Sequence, residues 1–113
     1  MPAHKKDDAI VQDILNAARL VVEFVHGFDK AGFIQDWKTR SAVLYQLTVI
    51  GEAVKRLSTG FRAGHTEIPW VLMAGMRDNL IHGYDLIDWD EVWKTSTVDI
   101  PELLTMLSGH GPD

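Results

Sequence analysis

The spacing of apolar residues in the middle of the chain is the feature that most limits its fold. From Thr39 to Ser58, apolar residues recur every three or four positions, the spacing that places one stripe along an α-helix. The stripe consists of Val43, Leu47, Ile50, Val54 and Leu57, with Leu44 and Ala53 beside it. We therefore predict a long helix that buries this stripe against other helices. Gly51 inside it costs about 1 kcal/mol relative to alanine, which is reasonable if a second backbone approaches closely there.

The N-terminal part of the chain has the same periodicity. Apolar side chains recur at helical spacing over residues 7–25, where Asp7 or Asp8 can cap the helix start and Gly27 can end it. Residues 28–37 form too short a segment for a long helix, and we expect one or two helical turns there. The apolar anchors of these turns are expected to be Phe33, Ile34 and Trp37.

A third long helix is predicted after a loop. Residues 61–67 contain Gly64 and directly follow Gly60, and we expect them to form the loop. Pro69 has a fixed backbone angle that suits the first turn of a helix, and the helical pattern then continues to about His82. Gly83 is well placed to end this helix.

The last helical segment begins in an acidic run. Residues 88–91 form a variant of the capping box, which favours a helix start through hydrogen bonds and through the helix dipole. Pro101 is expected to kink or restart this helix, and the pattern ends at Gly109. The segments together predict an all-α fold, an up-down bundle of four to five helices, in a single domain over residues 1–113.

The composition does not indicate a membrane protein or a disulfide-stabilised protein. Hydrophobic residues make up 46% of the chain and charged residues 24%, and no run approaches the roughly 18 apolar residues of a membrane span. The absence of cysteine excludes disulfides and thiolate zinc sites. The start of the sequence leads into an amphipathic pattern, which argues against a secretory signal. We expect a cytoplasmic protein with no membrane partner.

The charges are distributed unevenly along the chain, whose net charge is −5. Residues 1–37 carry four cations and six acids, residues 38–77 carry six cations and two acids, and residues 78–113 carry one cation and eight acids. A basic middle segment permits a local phosphate-binding surface, because the field in a cleft depends mainly on nearby charges. Charge alone equally permits two differently solvated helix faces.

The densest group of polar side chains lies in residues 77–84, with the sequence Arg-Asp-Asn-Leu-Ile-His-Gly-Tyr. On a helix, Asp78 and His82 would be one turn apart, so the carboxylate could orient the imidazole. Arg77 and His82 would lie about 140° apart around the axis and about 7.5 Å apart along it. A site shared across a two-fold dimer is therefore more natural than a site built on one helix.

These residue types suit the cleavage of RNA. The reaction needs a base for the ribose 2′-hydroxyl, an acid for the leaving oxygen and a fixed cation for the charge that develops at phosphorus. Histidine and arginine supply these functions without a metal. The spacing by itself is a weak signal, and it favours the alternative in which Arg77 and His82 are helix-end groups bonded to the last carbonyls.

The pattern Arg77-x-x-x-x-His82-x-Tyr84, with the polar Asp78 directly after the arginine, resembles the signature of the HEPN superfamily and specifically of its HepT-like toxin branch. The resemblance extends over about residues 39–107. Three further blocks are similar to the same branch: Ile50–Leu57, Ile68–Trp70, and Asp88–Trp93 followed by Pro101–Leu103.

This resemblance implies an all-α homodimer with a cleft at its interface and metal-independent endoribonuclease activity that needs no cofactor. Arg77 and His82 would be catalytic, and Asp78 would orient or polarise the imidazole. The resemblance also implies a toxin whose antitoxin is a cognate minimal nucleotidyltransferase that attaches AMP to Tyr84. The RNA substrate, tRNA or mRNA, is left open. The alternative is a catalytically silent module that binds or scaffolds a nucleotidyltransferase or RNA.

Several other charged residues are weaker candidates. Lys55, Arg56 and Asn79 could contact an RNA backbone, although a solvated face is the simpler interpretation of the two cations. Glu52 is more consistent with an exposed residue paired to Lys55 or Arg56 than with a buried acid.

Aromatic residues and histidines outside the cluster also have two interpretations. Trp70, Trp89 and Trp93 could stack on bases, but their helical spacing favours core or dimer contacts. His26 and His65 are isolated in the sequence, which favours surface or helix-cap roles. No histidine pair has the spacing of metal ligands, so we predict no metal site.

Overall fold

A computed structural model describes residues 2–76, 80–82 and 86–109 of the chain. Helices account for most of these residues, which confirms the predicted all-α fold, and a two-residue antiparallel pairing is also present. The elements in chain order are α1 (Pro2–Val25), α2 (Lys30–Gln35), α3 (Trp37–Arg56), α4 (Thr59–Ala63), α5 (Trp70–Ala74), β1 (Ile81–His82), β2 (Leu86–Ile87), α6 (Trp89–Lys94), a π-helical turn (Thr95–Asp99) and α7 (Ile100–Ser108).

The core lies between the three long helical segments, since α1 packs along α3 on one side and contacts α7 on the other. Each helix contributes the apolar stripe that the sequence predicts, and removing these side chains from water is the main stabilising term. The fully buried members are Val11, Ile14, Ala18 and Val21 of α1, Val43, Leu47, Ile50 and Val54 of α3, and Ile100, Leu103 and Leu107 of α7.

Aspartate side chains define the starts of three helices. Asp29 accepts a hydrogen bond from the Gly32 N–H at 2.8 Å and begins α2, while Asp36 accepts one from the Thr39 N–H at 3.1 Å and begins α3. Asp88 begins α6 by accepting from the Glu91 N–H at 3.1 Å. The predicted acidic start of the last helical segment is therefore confirmed, and each cap satisfies a backbone donor that has no partner within the helix.

Asp7 does not cap α1 as predicted. The helix already begins at Pro2, so Asp7 lies in its second turn, where its side chain is only 6% exposed. The carboxylate instead accepts hydrogen bonds from the Ser58 N–H at 2.9 Å and the Ser58 hydroxyl at 2.7 Å. The same hydroxyl oxygen accepts from the Phe61 N–H at 3.0 Å and thereby begins α4. The first part of the predicted loop over residues 61–67 is thus helical, because a residue 51 positions away anchors its cap.

The predicted close approach at Gly51 is confirmed. A Cβ atom added to Gly51 would lie 3.4 Å from the Met73 carbonyl oxygen and 3.8 Å from the Met76 Cβ. The backbone of α5 therefore crosses α3 at the position where α3 has no side chain. Glycine weakens a helix, and the packing of α5 offsets that cost.

The third long helix is only partly as predicted, because α5 ends at Ala74, the backbone is helical again at Met76 and Leu80, and it is extended at Ile81–His82. The Gly75 N–H donates to the Val71 carbonyl at 3.0 Å, and the backbone is later extended over Ile81–His82, which pairs with Leu86–Ile87. Ile81 stands opposite Ile87, and both pack against the core, so β-branched side chains favour this pairing. The predicted helix end at Gly83 falls outside the described residues.

Pro101 restarts the last helix, as predicted. It occupies the first turn of α7, and its missing N–H removes one backbone hydrogen bond to the turn before it. Directly before it, residues 95–99 form a π-helical turn, which accommodates the proline ring within a continuous helical rod. Trp37, in contrast, was predicted to be an apolar anchor and is 64% exposed at the start of α3.

Replacing Asp7 by alanine is expected to lower the free energy of unfolding by about 2 kcal/mol, because the Ser58 N–H loses a buried charged acceptor. Urea denaturation followed by circular dichroism measures the change. Asp13→Ala is the matched control on α1, since Asp13 is exposed and lies 3.8 Å from Arg56, and it should change the stability by less than about 0.5 kcal/mol. Equal effects of the two substitutions would contradict the anchoring role of Asp7.

Candidate active site

Most of the polar cluster of residues 77–84 lies outside the described residues, but the residues on either side of it are described. Arg77, Asp78, Asn79 and Tyr84 lie outside the described residues, and for His82 the structure gives the main chain only. The catalytic, RNA-binding and modification roles predicted for these five residues therefore remain predictions. The elements on either side define where the cluster is attached.

Two buried side chains hold the segment that contains Arg77. Met76 is 4% exposed and Leu80 is 1% exposed, so the chain enters the core directly before and directly after residues 77–79. Met76 also belongs to the contact with Gly51. The N-terminal end of the cluster is therefore attached to α3, the most regular helix of the bundle.

The main chain of His82 is held by strand pairing. His82 stands opposite Leu86, and the Asp88 N–H donates to the Leu80 carbonyl at 2.9 Å, which extends the pairing by one bond toward α6. The backbone is extended at His82. Arg77 and Asp78 lie outside the described residues, so the predicted helical angle between Arg77 and His82 and the predicted one-turn spacing of Asp78 and His82 stay predictions.

A cleft of about 350 Å³ adjoins this segment. Its floor is apolar, and three carboxylates and one lysine lie around it. The lining residues are Leu72, Met73, Met76, Leu80, Asp88, Glu91, Lys94, Thr95 and Asp99. Lys94 is 3.8 Å from Glu91, so the described part of the lining carries a net negative charge.

Apolar side chains are exposed on both sides of the cluster. Val71 on α5 is 89% exposed, and its neighbour Leu72, which also lines the cleft, is 48% exposed. Leu86, the pairing partner of His82, is 68% exposed. Such exposure of large aliphatic side chains beside polar groups is typical of a surface that another molecule covers.

The two cations predicted near RNA lie at the C-terminal end of α3. Lys55 is one turn beyond Gly51 and is paired with Glu52 at 3.4 Å, while Arg56 lies 3.8 Å from Asp13. All four charged side chains are more than half exposed, which confirms the interpretation of Glu52 as an exposed, paired residue. Exposed pairs of this kind contribute little to stability.

The tryptophans that sequence reasoning weighed as base-stacking residues belong to the core. Trp70 is 8% exposed, and its indole N–H donates to the Arg62 and His65 carbonyls at 3.0 and 2.9 Å. The rings of Trp89 and Trp93 pack against Phe33 with centroids 6.4 and 5.2 Å apart. Their favoured interpretation as core residues is confirmed.

The exposed aromatic residues are different ones. Trp37 and Tyr45, both on α3, are 64% and 66% exposed; Trp37 was predicted to be an apolar anchor, and Tyr45 was not singled out from the sequence. A signal was present for Tyr45, since it lies off the apolar stripe of α3 on the side opposite the core. His65 stacks on Phe61 with centroids 4.2 Å apart and bonds to its carbonyl at 2.9 Å, in agreement with a helix-end role.

The described residues contain neither a candidate metal site nor a candidate membrane-spanning helix. Within residues 2–76, 80–82 and 86–109, no three histidine or acidic side chains are arranged to hold a metal ion. None of the helices in these ranges is both long and apolar enough to cross a membrane.

The sequence of the chain is similar to a family of nucleases. The model of the ribonuclease HepT-like family matches residues 14–108. A probable ribonuclease HepT of Thermococcus cleftensis is 44% identical over 93 residues, which cover 82% of this chain and 84% of that protein. A protein of Caldanaerobacter subterraneus that is named a candidate RNase is 39% identical over 93 residues, 82% of this chain and 83% of its own length.

A third relative, from Methanocaldococcus jannaschii and also named a candidate RNase, is 39% identical over 95 residues, 84% of this chain and 82% of its own. No solved structure matches the chain. The family model and the relatives span the bundle from α1 to α7 and include the candidate site. The chain therefore belongs to the ribonuclease HepT-like family.

Proposed function

We propose that this protein is a metal-independent endoribonuclease that acts as a toxin, with its site in residues 77–84. The observation that carries the proposal is the family match over residues 14–108, within which the chain retains the whole Arg77-x-x-x-x-His82-x-Tyr84 pattern. Relatives of similar length bear ribonuclease names. The attachment of this segment to the core through Met76 and Leu80 suits a site that must keep its geometry.

In the proposed reaction the ribose 2′-oxygen attacks the adjacent phosphorus, and the bond from phosphorus to the 5′-oxygen breaks. The products are a 2′,3′-cyclic phosphate and a free 5′-hydroxyl. The His82 imidazole takes the proton of the 2′-hydroxyl, and a protonated imidazole returns one to the leaving oxygen. Arg77 balances the charge that develops on the phosphoryl oxygens, and Asp78 orients or polarises the imidazole.

A homodimer would supply both imidazoles, one as the base and one as the acid. The exposed aliphatic residues support this assembly, because Val71, Leu72 and Leu86 flank the segment that carries the site. A second copy that covers them would bring its own residues 77–84 close to the first. The acidic cleft lined by Asp88 and Glu91 would then exclude phosphate from the wrong side of the site.

Tyr84 is the proposed point of control. A cognate minimal nucleotidyltransferase would act as antitoxin by attaching AMP to the phenol oxygen, with loss of pyrophosphate from ATP. The adduct adds bulk and negative charge seven residues from Arg77, and it would repel an RNA phosphate. Leu86, two residues after Tyr84 in the sequence, is exposed.

Replacing His82 by alanine is expected to slow RNA cleavage by about 10²- to 10⁴-fold, because the proton transfers lose their general acid and base. Cleavage of a labelled RNA is followed on gels, and His26→Ala, an exposed histidine at the end of α1, is the matched control that should cut at the parent rate. A substrate with a 2′-deoxyribose at the cleaved position should resist both proteins.

Three results would contradict this mechanism. His82→Ala could cut as fast as the parent protein, or DNA could be cut efficiently. If the parent protein never cleaves RNA while Arg77→Ala weakens binding to RNA or to a nucleotidyltransferase, the chain is the silent module instead.

Replacing Val71 by glutamate is expected to convert the dimer into a monomer and to reduce RNA cleavage with it, because a charge in an apolar interface has no partner. Size-exclusion chromatography with light scattering measures the assembly. Val98→Glu is the control, since Val98 is 48% exposed and lies on the π-helical turn, not on α5 or β2. A monomeric parent protein, or a Val71→Glu variant that remains dimeric, would exclude the proposed interface.

Co-expression with a minimal nucleotidyltransferase encoded beside this protein is expected to add the mass of AMP to the chain and to suppress RNA cleavage. The chain has two tyrosines, so Tyr84→Phe should abolish the added mass, and Tyr45→Phe should retain it. Tyr45 is a demanding control because it is 66% exposed. Mass spectrometry that places the adduct on Tyr45, or finds none, would refute Tyr84 as the modified residue.

A further inference from the structure

The described surface exposes two kinds of large apolar side chain in different places. Those beside the candidate site, on α5 and β2, are aliphatic. Those on α3 are aromatic: among the residues of this helix, all of which are described, Trp37 and Tyr45 are the exposed large hydrophobic side chains. Aliphatic groups suit burial against another protein, whereas an aromatic ring also offers a flat face to a base.

Trp37 and Tyr45 lie on the part of α3 that leads toward the candidate site. They are eight residues apart, about 12 Å along the helix axis. Gly51, where α5 crosses, is six residues and about 9 Å beyond Tyr45. Viewed down the helix axis, Trp37 lies about 40° and Tyr45 about 120° from Gly51, in the same direction of rotation. The aromatic residues thus form one stripe on the exposed side of α3, which begins at the N-terminal end of the helix and turns away from Gly51 around the axis as it advances.

The charges along this stripe are compatible with a nucleic acid. Lys38 is exposed next to Trp37, and Lys55 is exposed at the far end, where it neutralises Glu52 at 3.4 Å. The segment 38–77 carries six cations and two acids. The acidic residues of the chain are concentrated instead in residues 78–113, on the side of the cleft. An RNA strand along α3 would therefore avoid the negative cleft and meet a weakly positive surface.

We propose that Trp37 and Tyr45 form a docking surface on which two unpaired bases of the RNA substrate stack, outside the bond that is cut. The proposal rests on the proposed ribonuclease function and adds a substrate class to it, single-stranded RNA long enough to reach from the site to Trp37. Arg40 and Trp89 are not part of this surface, because they stack on each other at 4.7 Å and Arg40 donates to the Ile34 carbonyl at 2.7 Å.

Binding of a fluorescent single-stranded RNA tests the docking surface, in the His82→Ala background so that the RNA stays intact. Trp37→Ala and Tyr45→Ala are each expected to weaken binding about tenfold or more, the usual effect of removing one stacking ring. Trp37→Phe and Tyr45→Phe keep a ring and should bind within about twofold of the background protein. Val98→Ala removes an exposed side chain elsewhere and is the matched control.

The intrinsic fluorescence gives an independent readout of stacking. Of the four tryptophans, Trp37 is the mostly exposed one, whereas Trp70, Trp89 and Trp93 are buried or half-buried. A base that stacks on Trp37 should quench its emission when RNA is added. Trp37→Phe should bind RNA without this quench. Unchanged quenching in Trp37→Phe would overturn the assignment of Trp37.

Cleavage rates separate this inference from the proposed function. The Trp37→Ala and Tyr45→Ala variants, with His82 intact, should cut a dinucleotide as fast as the parent protein but cut a long single strand more slowly. If the parent protein cuts RNA and these variants bind and cut the long strand equally well, the docking surface is wrong and the ribonuclease function stands. If the parent protein neither binds nor cuts RNA, both fail. If either alanine variant becomes monomeric, α3 contacts a second copy, which also overturns the proposal.

Discussion

The contact between α3 and α5 at Gly51 is the constraint on which the candidate site depends. Because Gly51 has no side chain, the Met73 carbonyl can approach to within 3.4 Å of the position that a Cβ atom would occupy. A Cβ there would be in ordinary van der Waals contact with this oxygen, and a longer side chain would meet backbone atoms, which cannot rotate away. This approach places Met76 against α3, directly before residues 77–79.

The surface around that attachment has three parts with different charge and polarity. The acidic cleft lies beside Leu80, the exposed aliphatic residues lie on α5 and β2, and the aromatic residues follow α3. Each face suits a different neighbour. The cleft repels negatively charged groups, the aliphatic residues suit an apolar protein surface, and the aromatic residues on α3 suit bases. The net charge of −5 conceals this separation, because it sums over faces that different partners would meet.

Local signals in the sequence were sufficient wherever a residue acts on its near neighbours. The stripe of α3, the cap at Asp88 and the restart at Pro101 each depend on residues within about one turn, and each was predicted. Local signals failed wherever a distant partner decides. Asp7 was predicted to cap α1, but its carboxylate accepts a hydrogen bond from Ser58, 51 positions away. Ile81 was predicted to continue a helix, but it pairs with Ile87 on the neighbouring strand. Trp37 was predicted to be buried and Tyr45 was overlooked, because exposure is set by what the other helices leave uncovered.

The sequence by itself determined the all-α class, the apolar stripes of the long helices and the family, because periodicity, capping and the signature pattern are properties of consecutive residues. Only the tertiary structure decided which aromatic rings are buried, where the acidic cleft lies and that the chain at His82 is extended. The physical reason is that these features arise from contacts between segments far apart in the chain. Such contacts compete with local preference, and at His82 the pairing with Leu86 prevailed over the helical pattern.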